Sequence, residues 1–203
     1  MIYNPYDYYF NKAKQEGYKA RSAFKLEEIQ NKFKLIDKNT KFILDIGCAP
    51  GSWMQYSYTL LRKFNIKNFK IVGFDIQEST VNLPNVHTHL QDVTDIEKID
   101  KILESHGILP GTVDFIQSDM APNTVGNKSV DAIRSIGLLE ETLWIYKKYL
   151  NKNGKFAIKI FMGPGFDEFV AGLKKEFGGK NIKIFKPKAS RSISKETYIV
   201  KIN

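Results

Sequence analysis

The segment Lys41 to Trp53, KFILDIGCAPGSW, restricts the fold of this chain more than any other stretch. The apolar run Phe42, Ile43, Leu44 ends at Asp45, a turn holding Gly47, Pro50 and Gly51 follows, and a helix-like pattern resumes from Trp53 to Leu61. A strand, a tight turn and a helix start form the opening unit of an α/β sheet. Glycines in such a turn accept positive φ and clear space where a ligand must approach the backbone, and the helix that follows offers unpaired N–H groups. The spacing is not the dinucleotide fingerprint Gly-x-Gly-x-x-Gly. Here the glycines at 47 and 51 stand four apart, with an acid two residues before the first, so a nicotinamide dehydrogenase has the right sheet and the wrong turn.

The rest of the chain repeats the unit. Lys70 to Ile76 reads as a second buried strand ending in Asp75, Val86 to Val93 alternates and places Asp92 at its end, and Val113 to Met120 brings Asp119 to the start of a loop of turn formers. In a doubly wound sheet such strand ends open onto one crevice, so Asp45, Asp75 and Asp92 are expected round one ligand, with Asp75 placed to hold a ribose diol. A helix over Ser129 to Tyr149 should face Ile133, Ile136, Leu139 and Leu143 to the core, and Asn153-Gly154 should turn into a fifth strand, Lys155 to Phe161. Lys159 is the anomaly of that strand, because burying a lysine costs several kcal/mol unless it is paired or deprotonated. A helix over Asp167 to Phe177 precedes two strands, Asn181 to Lys186 and Glu196 to Ile202, joined too briefly for a crossover and hence antiparallel neighbours. Before the glycine turn, Tyr3, Tyr6, Tyr8, Tyr9 and Tyr18 are interleaved with Lys12, Lys14 and Lys19. Such a stretch suits base stacking or the packing of a short helix. Ala23, Leu26, Ile29 and Phe33 mark a helix with Ser22 as N-cap and Lys25 beside the apolar stripe.

The 203 residues fit one domain, with 1–40 a basic, aromatic helical extension and 41–203 the sheet. No apolar run reaches spanning length and the N-terminus has no signal-peptide pattern, which predicts a soluble intracellular protein and leaves cytoplasmic, nucleolar and mitochondrial addresses open. Cys48 is the single cysteine and reads as a small filler inside the turn; His87 and His89 share a strand face with His106 expected far away, so no metal site is predicted. The net charge of +9 divides unevenly: Lys and Arg against Asp and Glu run 9 to 5 over residues 1–41, 8 to 13 over 42–146 and 14 to 4 over 147–203. Basic ends suit a phosphate backbone and an acidic middle suits a cationic ligand.

The turn Asp45-x-Gly47-x-x-x-Gly51 resembles motif I of the S-adenosylmethionine-dependent methyltransferases, and the element order resembles their Rossmann-like class I fold. That fold is α/β, a seven-stranded, mostly parallel sheet with helices on both faces and a C-terminal antiparallel hairpin. More specifically, YKARSAFKL (18–26), DIGCAPGSW (45–53), SDMAPN (118–123), KIF (159–161), Ser190-Arg191 and ETYIV (196–200) are similar to the FtsJ family. These are RNA 2′-O-ribose methyltransferases acting on a uridine of large-subunit ribosomal RNA. The resemblance implies a catalytic tetrad of Lys25, Asp119, Lys159 and Glu196, with Lys159 as candidate base. It implies S-adenosylmethionine held by Asp45, Gly47, Pro50, Gly51, Ser52 and Trp53 of the turn, by Asp75 and Ile76 at the ribose, by Asp92 and Val93 at the adenine, and by Asp119. The basic ends, Lys19 and Arg21 on one side and Lys186, Lys188, Arg191 and Lys195 on the other, are expected to grip RNA. Cys48 departs from the alanine common in the family; both are small. The resemblance implies ribosomal RNA, within the large subunit, as the partner, and the chain is expected to act as a monomer with no membrane and no metal. A transfer-RNA anticodon-loop 2′-O-methyltransferase shares the N-terminal pattern, and a catalytically silent ribosome-assembly factor would share the charge map but predicts loss of tetrad members or of the glycine turn.

Overall fold

The computed structural model describes residues 7–191 and 193–203; Tyr3 and Tyr6 of the aromatic N-terminal stretch lie outside the described residues. In chain order the elements are α1 (Tyr8–Gln15), α2 (Ala23–Phe33), β1 (Phe42–Ile46), α3 (Ser52–Lys63), β2 (Lys70–Asp75), β3 (Val86–Leu90), α4 (Ile96–Ser105), β4 (Val113–Ser118), α5 (Lys128–Tyr149), β5 (Leu150–Phe161), α6 (Phe166–Phe177), β6 (Ile182–Phe185) and β7 (Glu196–Lys201). They build a seven-stranded sheet in the order β3-β2-β1-β4-β5-β7-β6. Strands β1 to β5 pair in parallel, and β7 enters antiparallel between β5 and β6. This is the α/β architecture the motif spacing and element order predict.

The period of two along each strand sorts side chains onto two faces. Leu44, Val72, Ile116, Phe156, Ile158 and Ile199 pack with α4, α5 and α6 on one face. Ile43, Ile71, Phe115, Ala157, Tyr198 and Val200 pack with α2 and α3 on the other. Leu26 and Ile29 of α2 are fully buried in this second core, and each such side chain contributes about 2 kcal/mol of burial free energy. Helix α2 is therefore part of this core, although it precedes the sheet.

Three local expectations are corrected. Ile133 is 57% exposed, because the buried stripe of α5 runs through Ala132, Ser135, Ile136, Leu139, Thr142, Ile145 and Tyr149, out of phase with it. The Asn153-Gly154 turn lies inside β5, where Val113 pairs with Leu150 and Phe115 with Lys155, so the turn is a bulge in a longer strand. His106 is not remote: as C-cap of α4 it returns to β3, with its ring 4.5 Å from His87 and its Nε2 2.9 Å from His89 Nε2. Burial, with neighbouring His87, His89 and Lys70, pushes His106 down to about 4. Among the described residues no group of three His, Cys, Asp or Glu is placed to hold a metal ion. Nor is any described helix long and apolar enough to cross a membrane.

Candidate active site

Strand register assembles the polar centre. In the antiparallel β5–β7 pair Lys159 stands opposite Tyr198 and Phe161 opposite Glu196, so Lys159, Tyr198 and Glu196 project from the face that carries α2. Asp119, the first residue beyond β4, meets Lys159 from the neighbouring strand: Lys159 Nζ lies 3.0 Å from Asp119 Oδ1 and also donates to the Asp119 carbonyl. Lys25, in the first turn of α2, donates to both Glu196 oxygens at 2.8 and 2.9 Å. The four residues proposed as a tetrad thus come together as two ion pairs. Their side chains are only 9–18% exposed, well below what freely hydrated surface charges show.

The two pairs are joined by a residue that sequence reading missed. Tyr198 Oη donates to Asp119 Oδ1 at 2.7 Å and stands 3.3 Å from Glu196 Oε1, while its ring stacks on Trp53. Its position two residues after Glu196 in an alternating strand was the available signal. Burial first, then the Asp119 and Glu196 carboxylates, push the Tyr198 hydroxyl far up, so it remains a donor. Burial alone would raise the Asp119 carboxyl, but the charges of Lys159 and Lys25 and the Tyr198 hydrogen bond bring it below the usual carboxylate range. Ser190, also missed, donates to Glu196 Oε1 at 2.7 Å.

On one side of this centre is a cavity of about 360 Å³, lined by Gly47, Phe74, Asp75, Ile76, Asp92, Val93, Asp119 and the loop Met120 to Asn123 among others. Its charged lining is Asp75, Asp92, Asp119 and Glu141, with no base. Gly47 has φ +75°, and a Cβ there would fall 2.1 Å from Met120 Cγ. Glycine thus keeps the turn against the loop after β4. Asp75 accepts from the Ala49 and Gln77 amides, both at 2.8 Å, and Asp92 Oδ1 from the Thr94 amide and hydroxyl. An anionic cleft at the strand ends, with two carboxylates fixed by backbone amides, fits a cationic sulfonium nucleoside such as S-adenosylmethionine.

Other residues named for the cofactor do not line this cleft. Asp45 is buried beneath the turn, accepting from Gln117 Nε2 at 2.8 Å, and burial, reinforced by Asp119 and Asp75, raises its carboxyl to about 8. Gly51 caps α3 at φ +109°, and a Cβ there would fall 2.0 Å from Val81 Cγ2, while the Pro50 carbonyl accepts from Ser79. Ser52 and Trp53 turn toward α2, where Ser52 Oγ lies 2.8 Å from Ser22 Oγ and Trp53 Nε1 donates to the Ser22 carbonyl. Ser22 does occupy the N-cap position, with its hydroxyl spent on Ser52. Cys48 is buried over Gly73, and burial pushes its thiol up, away from nucleophilic chemistry.

On the other side lies a cavity of about 680 Å³, lined by Arg21, Lys25, Lys128, Arg191 and Lys195 against Asp131 and Glu196, with Phe161 and Ile193 as apolar surface. Lys19, Lys186 and Lys188 are exposed outside this lining. Lys128 and Asp131 had no sequence signal; they enter because α5 begins beside the tetrad. The loop after β4 forms the septum, Ala121 to Asn123 facing the acidic cavity, Thr124 and Gly126 the basic one. It is pinned by Asp131 Oδ1 accepting from the Val125 amide and by Arg134 donating to the Asn123 carbonyl.

The profile of the FtsJ-like methyltransferases matches residues 18–203. Over 200 residues the chain is 40% identical to ribosomal RNA large subunit methyltransferase E of Bdellovibrio bacteriovorus, covering 98% of this chain and 97% of that protein. It is likewise 40% identical over 194 residues to the protein of that name from Pelagibacter ubique, covering 96% and 90%. Among solved structures it is similar to a Plasmodium falciparum protein assigned to the ribosomal RNA methyltransferases, with TM-score 0.70, 30% identity and coverage of 92% and 98%. Human methyltransferase-like protein 13, solved with S-adenosylhomocysteine, shares the fold at TM-score 0.62 and 15% identity, covering 89% and 82%.

Proposed function

This chain belongs to the FtsJ-like methyltransferases, S-adenosylmethionine-dependent enzymes, and on that premise we propose that it methylates the ribose 2′-oxygen of a uridine in large-subunit ribosomal RNA, acting as a monomer. The observation that carries the reading is the position of the tetrad between two cavities of opposite charge. Asp119 faces the acidic one, and Lys25 and Glu196 face the basic one. A two-substrate transfer needs such a boundary, since the cationic donor and the polyanionic acceptor must meet without sharing a site.

Asp75, Asp92 and the loop after β4 would hold S-adenosylmethionine, which would supply the methyl from its sulfonium and be left as S-adenosylhomocysteine with the S–C electron pair on sulfur. Lys159, once its ammonium has given a proton to solvent, takes the 2′-OH proton as the C–O bond forms, and Asp119 sets the direction of its amine. Lys25, held by Glu196, lies on the acceptor side and steers the ribose and its phosphate. Holding oxygen, carbon and sulfur in line is most of what the protein contributes. Intracellular RNA as substrate agrees with the basic cavity, and the 2′-hydroxyl is what distinguishes RNA from DNA there.

The test is labelled-methyl transfer to isolated large ribosomal subunits, free ribosomal RNA and transfer RNA. Label is expected on the large subunit or its RNA, and Lys159→Ala is expected to lower the rate roughly a thousandfold with S-adenosylmethionine binding retained. Label confined to transfer RNA would transfer the protein to an anticodon-loop substrate. Cofactor binding with no transfer to any of the three would leave an RNA-binding assembly factor.

A further inference from the structure

The connection between β6 and β7 supplies Arg191 and Lys195 to the basic cavity and Ser190 to Glu196, and its fastening is unusual. Glu28, half-buried on α2, accepts two consecutive backbone amides of that connection, Lys188 N on Oε2 at 2.6 Å and Ala189 N on Oε1 at 2.8 Å. The next carbonyl, Ala189 O, accepts from Arg21 at 2.5 Å. Ala189 is fully buried and Ser190 nearly so. One carboxylate gripping two successive N–H groups is a charge-assisted, bidentate arrangement, and it fixes the direction of the chain as well as its distance.

Glu28 and Lys25 are three residues apart and share a face of α2. One reaches the connection and the other reaches Glu196 at the start of β7. Both walls of the basic cavity are thereby tied to one helix, across 161 residues of sequence for Glu28–Ala189 and 171 for Lys25–Glu196. We infer that Glu28 is a positioning residue for the RNA acceptor: its carboxylate sets the β6–β7 connection so that Ser190 and Arg191 face the tetrad. This rests on the functional reading above and adds to it the group that shapes the acceptor wall.

Electrostatics make the inference sharp. Glu28 is a negative charge beside a surface proposed to bind a polyanion, so by Coulomb's law alone its removal tightens RNA binding. If it positions the wall, removal weakens binding. Glu28→Gln keeps the shape and one acceptor oxygen and loses the second; Glu28→Ala loses both. Glu27→Gln, next on the helix and ion-paired to Lys12 at 3.7 Å, makes the same charge change without touching the connection.

The experiment measures KM for ribosomal RNA, kcat, S-adenosylhomocysteine affinity and amide hydrogen exchange for wild type and the three variants. The expected result is KM raised about tenfold in Glu28→Gln and further in Glu28→Ala, the Lys188 and Ala189 amides exchanging faster, and cofactor affinity unchanged. Glu27→Gln is expected to keep or lower KM. A Glu28→Gln enzyme with unchanged or lowered KM overturns the inference, as does a loss fully accounted for by a smaller folded fraction. Wild type that transfers no methyl to any RNA overturns the functional reading instead, and with it the premise, whatever the amides show.

Discussion

The two cavities flanking the tetrad are built in different ways. The acidic one is made from the ends of consecutive parallel strands and the turns that leave them, so its shape follows from the sheet itself. The basic one is made from the α1–α2 connection and α2, the start of α5 and the β6–β7 connection, segments far apart in sequence that are held by side-chain bonds: Arg21 to Asp7 and Ala189, Glu28 to residues 188 and 189, Lys25 to Glu196. A small cofactor is met by a preformed cleft, and a large folded RNA by a surface whose parts are fastened one to another. Binding energy at the first resides in shape, and at the second in charge and in the anchors that aim it.

Substitutions at the two cavities should therefore separate two kinds of loss. The largest loss of binding is expected from Gly47→Val, which puts a branched side chain at φ +75° against Met120. Strain of about 1–3 kcal/mol and a filled turn should weaken S-adenosylmethionine by on the order of a hundredfold. RNA retention, measured by filter binding, should stay near wild type; loss of both together would show the cavities to be one coupled unit.

A smaller effect is expected at the boundary. Tyr198→Phe keeps the stack on Trp53 and removes the hydroxyl between Asp119 and Glu196. The kcat should fall about tenfold, the scale of one hydrogen bond to a charged group, with both KM values little changed. Asp119 loses a donor that lowers its carboxyl, so the acid limb of the pH–rate profile should move to higher pH. A limb that stays in place would remove Asp119 from the titration that limits activity.

An effect on stability alone, with binding and rate left in place, lies beneath the acidic cavity. Asp45 carries a proton in the folded protein up to about pH 8, whereas in the unfolded chain it ionises near its ordinary value of about 4. The folded state then binds the extra proton between these values, so this residue's contribution to stability is full below about pH 4 and is lost as pH rises to about 8. Asp45→Asn keeps an acceptor for Gln117 and removes the titration. Thermal unfolding should show it more stable than wild type at pH 8 and matched to it at pH 4. The reverse order would mean that Asp45 is ionised in the fold.

The same contrast explains what could be read in advance. Strand ends carrying Asp75, Asp92 and Asp119, and the glycines of the turn, are local signals, because apolar runs and tight turns announce themselves within a few residues. Lys159 was visible as a charge in an apolar strand. Glu28 was not, since it acts through a contact 160 residues away in sequence, and the roles of Tyr198 and Ser190 became visible only once strand register and the β6–β7 connection set them round Glu196. Asp45 shows the converse: a motif position read as facing the ligand is a foundation under the turn, because β1 is central in the sheet and its last side chains point into the core. The histidines failed for a similar reason. Their distance along the chain hid the return of α4 to β3.

One consequence of the strand order concerns how the molecule comes off the ribosome. In the chain β6 precedes β7, but in the sheet β7 lies inside it, and among the described residues β6 pairs with no other strand. During vectorial synthesis β6 emerges before its sole partner exists outside the tunnel, and the edge of β5 waits uncovered for the same strand. Glu196 and Tyr198 arrive on that strand. The nascent protein is thus unable to complete its sheet until β7 has been released, and the strand that closes the sheet is also the one that brings Glu196 and Tyr198 to the reactive centre.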